Sequence, residues 1–311
     1  MKQQNQQTIL VTGATGAQGG SVARALLKEN KFRVRILTRN PQSQKAKVLE
    51  RAGAEIFEGD LEDEASLLRA IEGCYGVFGI TNFWEHYAKE YQQGINLIDA
   101  VKEVGVQHFV LHTLPDYYRL SKGRYSVPHC DIKASFEEYA RGLGLPVTFI
   151  HVAFYYENFL TFFPLQKAED GSFHFGFPQG DTKLAAVSVE DVGGIVTSVF
   201  NRPADYIGRT VGAVGADETC GEYAAIMSRV LQKNVQYNHI PRDVYAAYGF
   251  PGAEELANMF EVQRLFIPER FSDMLESYML NPQMQNFETW VAKNKYRFIN
   301  LFNSQFQAMV I

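Results

Sequence analysis

Short apolar runs and amphipathic stretches alternate along the first half of the chain. Runs such as TILVT and FRVRILT are rich in β-branched residues and are followed by turn residues, which is typical of buried strands. The stretches between them carry apolar residues at intervals of three and four positions, which predicts helices. Because strands that alternate with helices in this way form right-handed βαβ units, we predict a parallel sheet with helices on both faces.

The fold class predicted from this alternation is α/β, a Rossmann-type doubly wound parallel sheet with a smaller, mostly helical C-terminal substrate-like domain. The predicted strands cover residues 8–12, 32–38, 54–59, 76–80, 107–113 and 146–152. The predicted helices cover residues 18–29, 43–52, 64–73, 86–104, 129–142, 189–200 and 221–232, and the tail 253–311 is mostly helical in pattern.

The regular alternation ends after residue 152, and no low-complexity linker follows it. We therefore predict an NADP(H)-binding Rossmann domain over 1–152, whose sheet is left open to later segments at about 184–215. A smaller C-terminal domain over 153–311 is predicted to pack against it and close a cleft.

The aromatic stretch FYYENFLTFF at 154–163 begins the second part. Its phenylalanines are predicted to be core residues (Phe159, Phe162 and Phe163). Glu157 and Asn158 are harder to explain as core, because carboxylates and amides are rarely buried without partners, so they are predicted to face the cleft.

Seven residues rich in glycine, GATGAQG at 13–19, connect the first strand to the first helix. Gly13 permits a tight turn, Gly16 lets backbone N–H groups approach a pyrophosphate, and Gly19 allows close packing of helix on strand. The GxxGxxG spacing is that of short-chain and extended dehydrogenase-like proteins. A tight turn without a ligand would use the same residues, but the position after the first strand of a βαβ series favours a dinucleotide.

The end of the second strand indicates which dinucleotide the site prefers. NAD sites place an acid there for the ribose 2′-OH, whereas NADP sites place a cation. This chain reads ILTRNP, with Arg39 and no acid before Glu50. Because a guanidinium can bind a 2′-phosphate through two hydrogen bonds, we predict NADP(H), with Lys45 adding to the phosphate site. The alternative is a solvated loop arginine.

Polar residues also follow the third and fourth strands. Asp60 is placed to accept a hydrogen bond from the adenine amino group, and Thr81 and Asn82 to lie along the pyrophosphate and ribose. Turn formation is the alternative for the aspartate and the asparagine.

The stretch VPHCDIK places His129 and Lys133 one helical turn apart. Short-chain reductases have a tyrosine at the first position as proton donor and a lysine at the second that holds the nicotinamide ribose. Thr113, at the end of the fifth strand, stands where their carbonyl-polarising serine would be. We predict that Lys133 binds the ribose, the alternative being a solvated lysine. His129 is either a proton donor or a helix-start residue satisfied by the backbone. Tyr125, expected in the loop before Pro128, is left open as a substitute acid.

The ammonium of Lys133 disfavours an imidazolium one turn away, and Asp131 lies on another face of the helix. The sequence therefore predicts a bound cofactor without an efficient proton donor.

The motifs TGATGAQGGSVARALL, VRILTRNP, GITNFWE, HCDIK, YYENFL, PQGD and GFPGAEELANMF are spread along nearly the whole chain. In these motifs the chain resembles the NmrA-like family of atypical short-chain dehydrogenase/reductases. The resemblance implies an NADP(H)-binding Rossmann domain and a regulatory role that reads the NADPH/NADP⁺ balance and changes partners or oligomeric state. It also implies cofactor contacts from Gly13, Thr15, Gly16, Ala17, Gln18, Gly19, Arg39, Asp60, Thr81, Asn82, Lys133, Tyr155, Glu157 and Asn158.

Composition and charge narrow the classes of partner. The net charge of −5 gives no electrostatic footprint for nucleic acid. Three widely spaced cysteines indicate neither a disulfide framework nor a metal site, and no apolar run approaches the length of about 20 residues that a bilayer requires. The polar start MKQQNQQ lacks a secretory signal, so we predict a cytoplasmic protein with nuclear entry left open. A regulatory protein partner and a homodimer are the candidate assemblies.

Three functional hypotheses follow from the sequence. The first is an NADP(H)-binding redox sensor with little or no turnover. The second is an NADPH-dependent reductase of quinones or small carbonyls that uses Lys133 with His129 or water. The third is a scaffold with a vestigial pocket.

Overall fold

The computed structural model describes residues 6–308, with the backbone alone at 86 and 304–308. Parts of the predicted polar start and helical tail, residues 1–5 and 309–311, lie outside the described residues. The strands are β1 (Thr8–Val11), β2 (Arg33–Thr38), β3 (Glu55–Glu58), β4 (Gly76–Gly79), β5 (His108–Thr113), β6 (Val147–Val152), β7 (Phe154–Tyr155), β8 (Gln166–Lys167), β9 (Phe173–Phe177), β10 (Lys183–Val187), β11 (Thr210–Ala213), β12 (Ala216–Thr219) and β13 (Val235–His239).

Helices follow most of these strands, and a 3-10 helix lies at Tyr156–Leu160. The α-helices are α1 (Ala17–Glu29), α2 (Gln44–Arg51), α3 (Glu64–Ile71), α4 (Phe83–His86), α5 (Glu90–Val104), α6 (Tyr117–Leu120), α7 (Pro128–Gly142), α8 (Val189–Asn201), α9 (Pro203–Tyr206), α10 (Cys220–Leu231), α11 (Arg242–Ala246), α12 (Ala253–Phe266), α13 (Phe271–Leu280), α14 (Phe287–Lys293) and α15 (Lys295–Ala308).

Seven parallel strands form the main sheet in the order β11-β6-β5-β4-β1-β2-β3. The strand order reverses between β1 and β4, where the chain crosses from one half of the sheet to the other. In open α/β sheets, ligands bind at the carboxyl ends of the strands beside such a switch point. The predicted Rossmann-type doubly wound sheet is confirmed. A ligand site is therefore expected at the loops after β1, β2 and β4.

Helices cover both faces of the sheet. One apolar core lies between the sheet and α1 and α8, and a second lies on the opposite face against α3, α5 and α7. Helices α1 and α8 approach closely, because the Ser21 hydroxyl donates to the carbonyl of Glu190 at 2.8 Å and accepts from the N–H of Gly193 at 3.0 Å. A Cβ at Gly193 would lie 2.3 Å from the Ser21 carbonyl oxygen, so glycine is required for this contact.

The C-terminal half contains two small sheets that the sequence analysis did not predict, in the orders β12-β10-β7 and β13-β9-β8. They pack with α10, α12, α14 and α15 around an aromatic core that includes Phe159 and Phe177. The predicted core position of Phe159 is confirmed, and Phe163 packs against the same core. The prediction for Phe162 is wrong, since its side chain is 65% exposed.

Two elements beyond residue 152 belong structurally to the main sheet. Strand β11 pairs with β6 at its edge, and α8 packs on α1. The division into 1–152 and 153–311 stays a prediction. Within the described range, no helix combines the length and apolar character needed to cross a bilayer.

Candidate functional site

A cleft of about 1040 Å³ opens at the carboxyl ends of the main-sheet strands. One wall consists of the loops after β1, β2, β3 and β4 together with the start of α7. The other wall comes from β10, β12 and the segment around α11 and α12. Most predicted site residues line it, namely Gly13, Thr15, Gly16, Ala17, Gln18, Gly19, Arg39, Lys45, Asp60, Thr81, Asn82, His129, Lys133, Tyr155 and Asn158.

The glycine loop has the close backbone packing that a pyrophosphate site requires. Gly13 has a φ of +59°, and its carbonyl accepts the N–H of Gly16 at 2.9 Å. A Cβ at Gly19 would lie 2.4 Å from the Gly13 carbonyl oxygen. Gly16 precedes α1 without a side-chain cap, so the first N–H groups of the helix remain available for an anion.

Gln18 of the glycine loop contacts Tyr155 of β7. The Tyr155 hydroxyl donates to Gln18 Oε1 at 2.6 Å, and burial raises the pKa of this tyrosine. Gln18 is buried, yet its Nε2 has no hydrogen-bond partner among the described residues. A buried donor without a partner beside a glycine cradle fits the polar groups of a dinucleotide.

Arg39 lies in the cleft directly after β2, where a 2′-phosphate is expected, and it already contacts an acid. Its guanidinium pairs with Glu85 of α4. The hydrogen bond with Glu85 raises the pKa of Arg39, and the nearby charges of Asp60 and Glu62 add to this effect. Glu85 was not predicted from the sequence, because it lies 46 residues from Arg39. Lys45 lines the same end of the cleft.

The polar residues after β3 and β4 hydrogen-bond to other protein groups. Asp60 Oδ1 accepts the N–H of Glu62 at 3.1 Å, which is the turn interaction named as its alternative. Asn82 Nδ2 donates to Glu85 Oε2 at 3.1 Å. Each nevertheless lines the cleft, so its role towards a cofactor stays a prediction.

Lys133 forms a buried ion pair that the sequence analysis also missed. Its ammonium pairs with Oε1 of Glu90 in α5, and the Thr81 hydroxyl donates to the same oxygen at 2.6 Å. Glu90 is fully buried, and its Oε2 has no partner within the described residues. The inward face of α5 carries both Glu90 and Gln93, and polar residues on a buried helical face were the available signal.

His129 is held by a carboxylate from the C-terminal half. Glu255 Oε1, in the first turn of α12, lies 2.6 Å from His129 Nδ1 and accepts the His129 backbone N–H at 2.8 Å. Both side chains are buried, and the ring of Trp84 lies 5.3 Å from the imidazole. The predicted helix-start position of His129 is confirmed, but its partner is a side chain and not the backbone.

Thr113 does not line the cleft. Its hydroxyl donates to Glu137 Oε2 at 3.2 Å. Because successive side chains of a strand point to opposite faces, the neighbouring His112 lines the cleft instead. His112 Nδ1 has no partner among the described residues, and burial, followed by the charges of Lys133 and His151, holds the pKa of His112 well below its usual value. The prediction that Thr113 polarises a carbonyl is therefore not supported by the geometry.

Glu157 is also outside the cleft lining. Its carboxylate accepts hydrogen bonds from the Ser188 hydroxyl at 3.0 Å, the Val189 N–H at 3.0 Å and Trp290 Nε1 at 3.1 Å. It therefore accepts hydrogen bonds from the start of α8 and links that helix to α14. Its neighbour Asn158 does line the cleft.

The described residues contain no group of three His, Cys, Asp or Glu side chains arranged to hold a metal ion.

The parallel sheet, its switch point and the glycine loop define a Rossmann-type α/β protein. The NmrA-like family profile matches residues 5–288, so this chain belongs to the NmrA-like family.

Relatives and solved structures resemble the chain over most of its length. The oxidoreductase FrzB of Cladobotryum sp is 31% identical over 290 residues, which cover 84% of this chain and 86% of FrzB. The oxidoreductase hkm9 of Aspergillus hancockii is 33% identical, with 81% of each chain covered. A crystal structure of an NmrA double mutant matches with a TM-score of 0.80 at 25% identity, covering 93% of this chain and 95% of NmrA. The NADPH-bound quinone oxidoreductase QOR2 of Escherichia coli has the same fold, with a TM-score of 0.76 at 23% identity over 92% and 99% of the chains.

Proposed function

We propose that this chain binds NADP(H) and acts as a redox sensor with little or no turnover. The observation that carries the preference for phosphorylated cofactors is the pairing of Arg39 with Glu85. NADPH and NADP⁺ share the 2′-phosphate, so discrimination between these two forms stays a prediction. A guanidinium has five N–H donors, but we expect a 2′-phosphate that binds it through two of them to compete with Glu85 for this side chain and to displace the carboxylate. A cofactor without the phosphate leaves the pair intact.

The displaced segment reaches across the cleft. Trp84 precedes Glu85 and packs beside His129, and a Cβ at Gly252 would lie 3.4 Å from its ring. Movement of α4 therefore changes the contact between the Rossmann side of the cleft and the start of α12. A ligand shifts a conformational equilibrium only through its different affinity for the two states, and the competition at Arg39 provides that difference. Among the structures of similar fold, NmrA is described as a negative transcriptional regulator and has been solved with NAD and with NADP.

The test is a calorimetric titration with NADPH, NADP⁺ and NADH, combined with tryptophan emission and particle size. Trp290 is buried in the C-terminal core, so a Trp84→Phe variant assigns the emission change to Trp84. We expect both phosphorylated cofactors to bind at least about tenfold more tightly than NADH, corresponding to about 1.4 kcal/mol. Equal binding of all three, or no binding, contradicts sensing through Arg39. The proposed protein partner, homodimer and cytoplasmic location stay predictions.

A second candidate function is an NADPH-dependent reductase of quinones or small carbonyls. It is favoured by the ionisable side chains of His112, His129 and Lys133, which line a cleft that otherwise has many apolar residues. Several relatives carry the description oxidoreductase. NADPH consumption by the cofactor-loaded protein with a panel of acceptors tests it, and no consumption with any acceptor contradicts it.

A further inference from the structure

We propose that His129 is a proton donor in the cleft and that Glu255 is the residue that positions it. This inference rests on the reductase as the second candidate function, and it names the groups that would complete that reaction. Cofactor binding through Arg39 and the glycine loop does not depend on it.

The hydrogen bonds of Glu255 fix the tautomer of His129. An ionised carboxylate only accepts hydrogen bonds, so the 2.6 Å contact with Nδ1 requires the proton of the neutral ring to sit on Nδ1. The same oxygen accepts the His129 backbone N–H, which fixes the ring relative to the start of α7. Within the described residues Nε2 has no hydrogen-bond partner, so it is the ring nitrogen that is left to contact a ligand.

Glu255 and Glu90 each pair with one basic side chain of this helix face. The ammonium of Lys133 pairs with the buried Glu90, so it has its own carboxylate partner. Glu255 in turn lies against His129 with only 7% of its side chain exposed. In Ser-His-Asp enzymes a buried carboxylate on Nδ1 likewise orients the imidazole and stabilises the charge that it carries. The structure thus provides the compensating acid that Asp131 does not.

Asp131 is occupied elsewhere. Its Oδ1 accepts the backbone N–H groups of Tyr117 and Tyr118 at 3.0 Å each, and its Oδ2 accepts that of Val127 at 2.7 Å. Asp131 therefore stabilises the loop before α7, and the imidazole of His129 is hydrogen-bonded by Glu255.

The proposed step is the reduction of a carbonyl or quinone oxygen. NADPH, when bound, supplies the hydride. The acceptor carbon receives this hydride, the C=O π bond breaks, and its electron pair moves to oxygen. The Nε2–H of the His129 imidazolium transfers its proton to that oxygen, while Nδ1–H stays on Glu255. Water in the open cleft then reprotonates Nε2, so one carbonyl acceptor, one NADPH and one proton give the alcohol and NADP⁺. With a quinone the same step gives the hydroxyketone, which becomes the hydroquinone when the new C–H loses its proton to water and the second carbonyl oxygen gains one.

Three exposed aromatic side chains of the cleft fit a planar acceptor. Trp84, Phe162 and Phe250 all line the cleft and are 46%, 65% and 40% exposed. Exposed aromatic rings around an apolar cleft favour stacking with a flat ligand. The probe for the test is therefore 9,10-phenanthrenequinone, a planar aromatic diketone.

The experiment compares NADPH oxidation by wild type, Glu255→Gln, Glu255→Asp and His129→Asn. Glu254→Gln is the matched control, since this neighbouring carboxylate lies on the outer side of α12 and pairs with Arg242. We expect kcat to fall about 100-fold in Glu255→Gln and His129→Asn, the lower end for general acid catalysis, with an unchanged KM for NADPH. Glu255→Asp is expected to restore part of kcat, and Glu254→Gln to leave it unchanged.

A second measurement, by NMR, detects the hydrogen bond between His129 Nδ1 and Glu255 and does not depend on catalytic turnover. In protein labelled with ¹⁵N-histidine, the Nδ1–H signal of His129 should be protected from exchange in wild type and Glu254→Gln and absent in Glu255→Gln. Unchanged kcat in Glu255→Gln, or no quinone reduction by wild type that binds NADPH, overturns the proposal. Failure to bind NADPH at all overturns the proposed function instead, so the two results are distinguishable. Should Glu255→Gln not fold, Glu255→Asp and His129→Asn supply the kinetic comparison, and equal kcat in wild type and His129→Asn overturns the proposal.

Discussion

Lys133 and Glu90 form an ion pair at the base of the cleft, and the carboxylate is completely shielded from solvent. The lysine was expected from its place in the sequence, but its partner comes from a different helix 43 residues away. The ammonium has three donors, so it can bind a ribose hydroxyl while it keeps the acid. The pair therefore has a structural role that is separable from cofactor binding.

Replacing Lys133 by Met is expected to destabilise the protein by about 3–5 kcal/mol, because a buried carboxylate is left without its partner. The double variant Lys133→Met/Glu90→Leu should recover most of this loss, since it removes both charges. Urea unfolding of wild type, both single variants and the double variant measures the coupling. Equal stability of Lys133→Met and wild type contradicts the buried pair.

Replacing Arg39 by Ala is expected to remove the preference for phosphorylated cofactors. A hydrogen-bonded charged pair typically contributes about 1.5–3 kcal/mol, so NADPH affinity should fall about 10- to 100-fold while NADH affinity changes little. Calorimetry with both cofactors measures the difference. A parallel loss of both affinities would place Arg39 outside the phosphate site.

Replacing Glu85 by Gln is expected to strengthen NADPH binding by about two- to fivefold, because a half-exposed ion pair of up to about 1 kcal/mol no longer competes. Glu50→Gln is the matched control, since it removes an acid that pairs with Lys47 on neighbouring α2. Tighter binding in the control as well would indicate a general charge effect and not release of Arg39.

Replacing Gly19 by Ala is expected to weaken cofactor binding by about tenfold or more. The added Cβ would lie 2.4 Å from the Gly13 carbonyl oxygen, so the loop must move, and backbone strain of about 1–3 kcal/mol is enough for this loss. Gly142→Ala is the control, because a Cβ at that helical position meets no atom within 4 Å. Calorimetry with NADPH compares both variants, and unchanged affinity in Gly19→Ala would contradict the cradle.

His108 provides a prediction about stability and pH. Burial lowers the pKa of His108 to about 4, and its Nε2 lies 2.8 Å from the Thr148 hydroxyl. The unfolded chain therefore binds a proton near pH 6.5 that the folded protein excludes until about pH 4. This contribution to stability is complete above the unfolded pKa and is lost as the pH falls towards the folded pKa.

Relative to His108→Gln, wild type should lose about 2 kcal/mol of unfolding free energy between about pH 7.5 and about pH 5. Burial raises the pKa of Asp191 to about 6, so the folded protein binds a proton there and becomes more stable as the pH falls. Because this effect overlaps the pH range of His108 and is present in both proteins, the comparison with the variant removes it. Urea unfolding at several pH values tests this, and parallel curves for the two proteins contradict it.

The sequence pattern predicted the main sheet because its strands are buried, short and separated by amphipathic helices. The two small sheets were missed for different reasons. The segment FHFGF at β9 alternates buried and partly exposed residues, which is a strand signal that its Gly- and Pro-rich surroundings obscured. Strands β7 and β8 have two residues each, which is too short for a periodic pattern.

The acidic partners of Arg39, Lys133 and His129 show why only half of each pair was predicted from the sequence. Arg39, Lys133 and His129 lie at positions that a Rossmann topology fixes, so their sequence context was informative. Their partners come from separate elements, and Glu255 is 126 residues from His129. Which carboxylate meets which base depends on how α5, α4 and α12 pack, and no local pattern encodes that contact.

The position of β11 at the edge of the main sheet affects how the chain folds while it is being synthesised. Strand β6 ends at Val152, but its outer neighbour begins only at Thr210. A ribosome that adds about 5–20 residues per second leaves the backbone edge of β6 open for several seconds before β11 emerges. During that time the nascent nucleotide-binding half exposes a template for strand pairing, so its yield in the cell should depend on chaperone protection during translation.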